Sequence, residues 1–312
     1  MRRRRALKNC WPKPEFLLSR ISASPHLVRV ELTAAEIRRA VRAALAEDLG
    51  SGDATTLATV PASAQSVALM RAREPLTVAG LEFAALAFRQ LSPKIKIKKF
   101  ARDGQKVAAG KTLLKISGSS RAILSAERVA LNFVQRLSGV ATATAQFADA
   151  VRGTKTKILD TRKTTPGWRR FEKYAVVCGG GKNHRIGLFD MVLIKDNHLV
   201  ALRDEKPNAI AAAVARARKR FPKLKVEVEA DTLAQVAQVV AAGADIILLD
   251  NMSLTQLRQA VKIVRGRAKT EASGGVNLKT VRTIAATGVD FISVGAITHS
   301  ARAVDIGLDF ES

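Results

Sequence analysis

"AAGADIILLD" (residues 241–250) and "ATGVDFISVG" (286–295) repeat one pattern: small residues and a glycine, then an aspartate-led apolar run with a polar or glycine stop. A glycine just past an apolar-periodic segment ends a helix. A run of Ile, Leu, Val and Phe without polar alternation is a strand buried on both faces. The pair therefore predicts two β/α units. The helical segments agree: "TLAQVAQVVAAGAD" (232–245), "SLTQLRQAVKIVRG" (253–266) and "NLKTVRTIAATGVD" (277–290) each carry a polar N-cap, apolar i, i+3/i+4 spacing and a late glycine. Upstream and between them, "KILD" (157–160), "MVLIK" (191–195), "KVEVE" (225–229) and "KTEAS" (269–273) are further short β-rich runs. Strands joined by right-handed helical crossovers make a parallel sheet. Six such strands predict an α/β chain with a closed or nearly closed β/α barrel rather than a flat doubly wound sheet.

Before residue 125 the texture differs. "TAAEIRRAVRAALAEDLG" (33–50) is an amphipathic helix opened by a Thr33/Glu36 capping box and stopped at Gly50. "SVALMRA", "LTVAG", "KIKIKKF" and "TLLKIS" follow, separated by Pro, Gly and an Asp103-Gly104 turn, which reads as a small sheet with helices. "SAERVALNFVQRLSGVATATAQFADAVRG" (125–153) is a long helical pattern with an expected break near Ser138-Gly139.

With 47% hydrophobic residues and only 4% aromatic, the core is built of Ala, Val, Leu and Ile. Two cysteines cannot make a disulfide framework, so a reducing cytoplasm is expected, and no apolar run suits a membrane span. The net charge is +25, of which residues 1–30 supply +7, so the folded body is itself basic. Such a balance attracts polyanions or phosphorylated metabolites. No zinc-finger spacing or aromatic stripe accompanies it, so no specific nucleic acid is expected as partner. The Arg-rich segment 1–30 lacks a secretory apolar region and is expected to be a disordered arm.

In a β/α barrel the site forms at the C-terminal ends of the strands. Those ends carry Thr161, Arg162 and Lys163; Lys195, Asp196, Asn197 and His198; Glu229; Asp250 and Asn251; Ser273, Gly274 and Gly275; and Gly295 and Ala296. Arg162, Lys163, Arg185 and Lys195 suit carboxylate and phosphate groups. The late glycine loops, with a helix expected from near Asn277, suit a phosphate. Glu229 and Asp250 stand among cations, fit to hold sugar hydroxyls, to bind Mg²⁺ through oxygen, or to stabilise a cationic transition state. Cys178 has no adjacent base and reads as a packed residue, and His198 as a hydrogen-bonding support.

"ILDTRKTTPGWRRFEKYAVVCGGGKNHRIGLFDMVLIKDNH" (158–198), with "SAERVALNF", "VEVE", "LLDNM", "ASGGV" and "ISVGAITHSA", closely resembles the quinolinate phosphoribosyltransferases over about residues 31–310. The resemblance implies an α/β fold with an incomplete, seven-stranded β/α barrel and an N-terminal mixed α/β sandwich domain. It divides the chain into an extension (1–30), an N-terminal domain (31–131), a barrel (132–300) and a C-terminal segment (301–312) packing back on the N-terminal domain. It implies transfer of phosphoribose from phosphoribosyl pyrophosphate to quinolinate with loss of CO₂, assisted by Mg²⁺, in a homodimer or higher oligomer. Arg162, Lys163, Arg185 and Lys195 would then surround the quinolinate carboxylates, with Thr161 and His184 close by and Lys163, Lys195, Glu229 and Asp250 in the catalytic roles. Glu229 and Asp250 would face ribose and metal, and Ser273, Gly274, Gly275, Gly295 and Ala296 the 5′-phosphate. Arg121 would reach the neighbouring subunit's site. Nicotinate phosphoribosyltransferase and a molybdenum-transport-associated protein are the alternative activities on such a scaffold.

Overall fold

A computed structural model describes residues 22–23 and 28–311; the arm expected over 1–30 falls almost wholly outside them. Six parallel strands stand in the order Lys157–Leu159, Phe291–Ser293, Lys269–Ser273, Ile246–Asp250, Val226–Ala230, Val192–Ile194. The first two strands in sequence thus lie at opposite edges, and the sheet is an incomplete barrel. The seventh place differs from expectation. A single residue, Lys182, bridges Leu159 in parallel, its N–H donating to Ile158 O at 2.9 Å while its carbonyl accepts from Asp160 N at 3.1 Å. The chain reaches it straight from helix Arg169–Cys178 through Gly179–Gly181. The next residue, Asn183, turns its side chain inward onto Asp160 and the Lys173 carbonyl, so no longer ladder forms.

Ile246, Ile247, Leu248 and Leu249 are all buried, as a strand covered on both faces requires. Strand Val226–Ala230 alternates instead: Val226, Val228 and Ala230 share one face and Glu227 and Glu229 the other. Side-chain capping boxes start the helices Leu233–Ala241 and Leu254–Val264, at Thr232/Gln235 and Ser253/Gln256. The helix expected from near Asn277 begins only at Val281. Asn277 Oδ1 accepts from Lys279 N at 2.9 Å and Thr280 N at 3.2 Å, a local turn that competes with helix.

The second layer system is an antiparallel sheet ordered Ile306–Phe310, Gln65–Ala72, Thr112–Ser119, Lys96–Lys99. Helix Ser120–Ala150 packs on it, and helices Ala34–Leu49 and Leu81–Leu91 pack on that helix and on each other. The chain's end therefore returns to the N-terminal sheet as its edge strand. At Thr33 the capping box closes, Oγ1 accepting from Glu36 N at 3.2 Å and Glu36 Oε2 from Thr33 N at 2.9 Å.

Helix Ser120–Ala150 runs unbroken, so the break expected at Ser138-Gly139 does not occur and the boundary drawn at 131 falls inside a helix. Both residues serve packing. Ser138 Oγ accepts from Ala79 N at 2.9 Å and donates to Ala79 O at 3.2 Å. A Cβ on Gly139 would stand 2.0 Å from the backbone oxygen of Arg302, so only glycine admits the returning C-terminal segment here.

Candidate active site

At the C-terminal ends of the barrel strands lies a cavity of about 770 Å³. Its wall includes Thr161, Arg162, Lys163, His184, Arg185, Lys195, Asp250, Ser273, Gly274, Gly275, Gly295 and Ala296, joined by Asn251, Glu271, Ser293 and His299. Two expected residues are not part of that wall. Glu229 is drawn to the Lys195 ammonium, with which it forms a hydrogen-bonded ion pair. Arg121 belongs to the N-terminal domain, where Nε donates to Val60 O at 2.8 Å and a terminal nitrogen to Leu57 O at 3.3 Å.

Of the four Arg and Lys cations in the wall, Lys195 alone is ion-paired among the described residues. Among the described residues the Arg162 guanidinium has no acceptor, and its Nε is buried. Lys163 is exposed and its ammonium likewise unpaired among the described residues, while Arg185 donates only to a carbonyl, Met191 O, at 3.1 Å. Burial, then the nearby Arg162 charge, lowers the pKa of Arg185, and the same two causes act on Arg169. Like charges held together beside an unpaired buried donor make a site for an anion.

The opposite wall supplies backbone. Gly274 has φ +93°, and a Cβ there would meet Asn251 Oδ1 at 2.0 Å, so glycine is required twice over. Asn251 itself takes φ +52°, a left-handed conformation asparagine tolerates, and its Nδ2 donates to Asp250 at 2.7 Å. Strand end and glycine loop are thereby locked together, Asn251 N also donating to Ser273 O at 2.9 Å.

Beneath the cations a buried network fixes His184 and Arg185. Asp160 and Lys173, both wholly buried, form an ion pair. Asp160 also accepts from Asn183 Nδ2 at 2.7 Å and from His184 N at 2.8 Å, while Lys173 Nζ donates to His184 O at 3.0 Å. Both peptide groups of His184 are thus gripped. Burial pushes Asp160 up and Lys173 down, yet three donors converge on the carboxylate, which suits its ionised form.

His184 spends both ring nitrogens inside the protein. Nδ1 accepts from Arg185 N at 2.8 Å, and Nε2 lies 3.0 Å from Glu227 and 3.6 Å from Glu271. Burial works against a second proton on the ring, but Glu271 and Glu227 outweigh it and raise its pKa to about 9. Taking that proton would require breaking the Arg185 N–H bond. Glu227 and Glu271 escape a reading of strand ends because they sit inside strands, below those ends. The readable sign is the charge at alternate positions in "VEVE" and "KTEAS", where a two-sided buried strand should be apolar.

His198 caps its own short helix, its Nδ1 accepting from Lys195 N at 2.9 Å. Cys178 is a packed thiol, pushed up to about 12 by burial and then by Asp103, and is no nucleophile at neutral pH.

The chain matches the family description "Quinolinate phosphoribosyl transferase" by its N-terminal domain over residues 53–138 and its C-terminal domain over 140–309. It is 42% identical over 293 residues to the chloroplastic nicotinate-nucleotide pyrophosphorylase (carboxylating) of Arabidopsis thaliana, covering 89% of this chain and 83% of that protein. The Mycobacterium leprae protein named nicotinate-nucleotide pyrophosphorylase (carboxylating) is 44% identical over 278 residues, 87% of this chain and 96% of its own. A solved nicotinate-nucleotide pyrophosphorylase from Francisella tularensis superposes with a TM-score of 0.85 at 42% identity, covering 93% of this chain and all of the other.

Proposed function

The chain belongs to the quinolinate phosphoribosyltransferase family, and from that premise we infer how its cavity works. The reaction is the transfer of phosphoribose from phosphoribosyl pyrophosphate to quinolinate, yielding nicotinate mononucleotide, pyrophosphate and CO₂ in NAD synthesis. The observation that carries the assignment of groups is the unpaired Arg162, backed by Lys163 and Arg185. These hold the two quinolinate carboxylates and set the ring nitrogen toward C1′ of the sugar. The glycine loops at 273–275 and 295–296 receive the 5′-phosphate through backbone N–H groups. Lys195, the fourth cation of the cluster, borders the same cavity and is held by Glu229 from outside its wall. As pyrophosphate leaves, positive charge develops on the sugar, and the Asp250 carboxylate in the cavity wall faces it. The new pyridinium nitrogen then draws the electrons of the departing carboxylate. The protein supplies orientation and a fixed field.

Among the described residues the Asp250 carboxylate is bonded to Asn251 alone, and it reaches the cavity as an oxygen ligand suited to Mg²⁺; Glu229 is already neutralised by Lys195. Asp250 would hold the ion, which when bound offsets the charge of the pyrophosphate group.

Quinolinate should turn over and nicotinate should not. Without the second carboxylate the cations stay unneutralised beneath the ligand, a penalty of several kcal/mol. Measured formation of nicotinate mononucleotide and CO₂ from quinolinate, with nicotinate as control, tests the reading; equal use of nicotinate would move the chain to the related nicotinate-specific activity.

Arg121 serves a partner's site in this reading. It lies away from its own chain's cavity, beside the exposed Leu57 on the N-terminal domain's surface. The assembly is a homodimer or larger with shared sites. Arg121→Ala and Arg162→Ala should each be nearly inactive alone. Co-expressed, they should regain roughly a quarter of wild-type activity, since a heterodimer carries both defects in one site and neither in the other. If confirmed subunit exchange restores nothing, Arg121 does not act across the interface. No described helix is long and apolar enough to cross a membrane. The cytoplasmic location we propose rests on the two cysteines, too few for a disulfide framework.

A further inference from the structure

Quinolinate transfer leaves one chemical need that the cation cluster does not meet, and the inference rests on that reading of the cavity. When CO₂ leaves ring C2, the bonding pair stays on that carbon beside the pyridinium nitrogen, and the carbon must take a proton. Arginines do not release theirs, and a lysine ammonium is a far weaker acid than a carboxyl. Below them, strands Val226–Ala230 and Lys269–Ser273 place Glu227 and Glu271 around His184, 0% and 1% exposed. The acidic oxygens and His184 Nε2 lie within 4.8 Å of one another. Glu227 Oε1 and Glu271 Oε2 have no hydrogen-bond partner among the described residues. Two ionised carboxylates so close and so dry repel strongly, and a retained proton relieves that repulsion and supplies a donor where these acceptors have none.

We propose that Glu271 is the general acid of the decarboxylation, giving its carboxyl proton to ring C2 as CO₂ departs. The C2–carboxylate bond breaks, its electron pair forms the C2–H bond, and Glu271 is left as a carboxylate. It regains a proton from water once product has gone. Glu271 rather than Glu227 fills this role because Glu271 lines the cavity, while Glu227 is bonded to His184 and does not. The ionisable groups facing Glu271 are Glu227 and His184, with the Ser293 hydroxyl on the neighbouring strand. From the other neighbouring strand, Asp250 reaches the same cavity beside Ser273, one inward position above. Burial first, then the Glu227 charge, raises Glu271 to about 8 against the opposing pull of His184. The acid is therefore protonated below that pH, and the step fails as pH rises through it.

The test follows pyrophosphate and nicotinate mononucleotide separately in a single turnover of the full chain with quinolinate and phosphoribosyl pyrophosphate. Glu271→Gln should release pyrophosphate at close to the wild-type rate but form mononucleotide about 10²-fold more slowly. It should also lose the alkaline fall in kcat near pH 8. Wild-type mononucleotide formation in the variant, an intact alkaline limb, or loss of the pyrophosphate step in a folded variant each overturns the assignment. If the variant does not fold, the wild type decides: in D₂O mononucleotide formation must slow while pyrophosphate release does not, and equal rates refute it. Failure of the family reading looks different, because wild-type protein would then release no pyrophosphate at all.

Discussion

Arg162→Ala should lower kcat/KM for quinolinate by roughly 30- to 5000-fold, the equivalent of about 2–5 kcal/mol for deleting one partner of a buried charge pair. Its melting temperature should hold steady or rise. The two expectations come from one fact. Among the described residues the guanidinium has no acceptor, and its charge depresses the pKa of its neighbours Arg185 and Arg169, second only to their burial. Deleting it removes repulsion and a buried unpaired donor, so folding gains; what is lost is a partner that only the substrate supplies. A structural arginine would behave the other way, with stability falling first. Steady-state kinetics with each substrate varied, beside a thermal melt, separates the two. Near-normal kcat/KM for quinolinate, or a clearly lower melting temperature with the kinetics intact, would sink this account.

The same distinction explains what is legible in the sequence. Barrel strands such as Ile246–Asp250 can be read because burial on both faces forces an apolar run like Ile246–Leu249, and helix caps punctuate the sheet. Strand ends then locate the cations and glycines without any side-chain geometry. The seventh barrel position cannot be read, because one bridging residue, Lys182, carries no periodicity. Ser138-Gly139 looks like a helix break because propensity is the only local signal; the close approach of Arg302 is a long-range fact. Glu229 reads as an acid among cations, but which cation it pairs with, Lys195, is set by neighbouring strands. Glu227, Glu271, Asp160 and Lys173 escape notice for a related reason. Each is charged yet buried, and local patterning assigns such residues to the surface unless a partner far along the chain is known.

Lys173→Met should be the most destabilising of these changes, costing about 3–5 kcal/mol, a large part of the roughly 5–15 kcal/mol that holds a typical domain folded. The methionine fills the space but leaves Asp160 wholly buried without its cation. Only Asn183 Nδ2 and His184 N remain as its donors. The pH dependence follows in sign. Burial already raises the pKa of Asp160, and losing Lys173 raises it further. A carboxyl with a raised folded-state pKa is tolerated when protonated, and its stability contribution is lost as pH rises through that pKa. The gap between wild type and variant in denaturant melts should therefore narrow as pH falls. Adding Asp160→Asn removes the second charge and should recover most of the stability, since an uncharged buried pair carries no unpaired ion. Activity should not recover with it. The carboxamide put in place of the Asp160 carboxylate still offers an oxygen to His184 N, but nothing then holds His184 O. Arg185, whose N–H is tied to the His184 ring, loses its fixed aim. The double variant should thus melt near wild type while its KM for quinolinate stays raised and that for phosphoribosyl pyrophosphate does not. A single variant as stable as wild type at every pH, or a double variant restored in both respects, would show that the buried pair does not position His184 and Arg185.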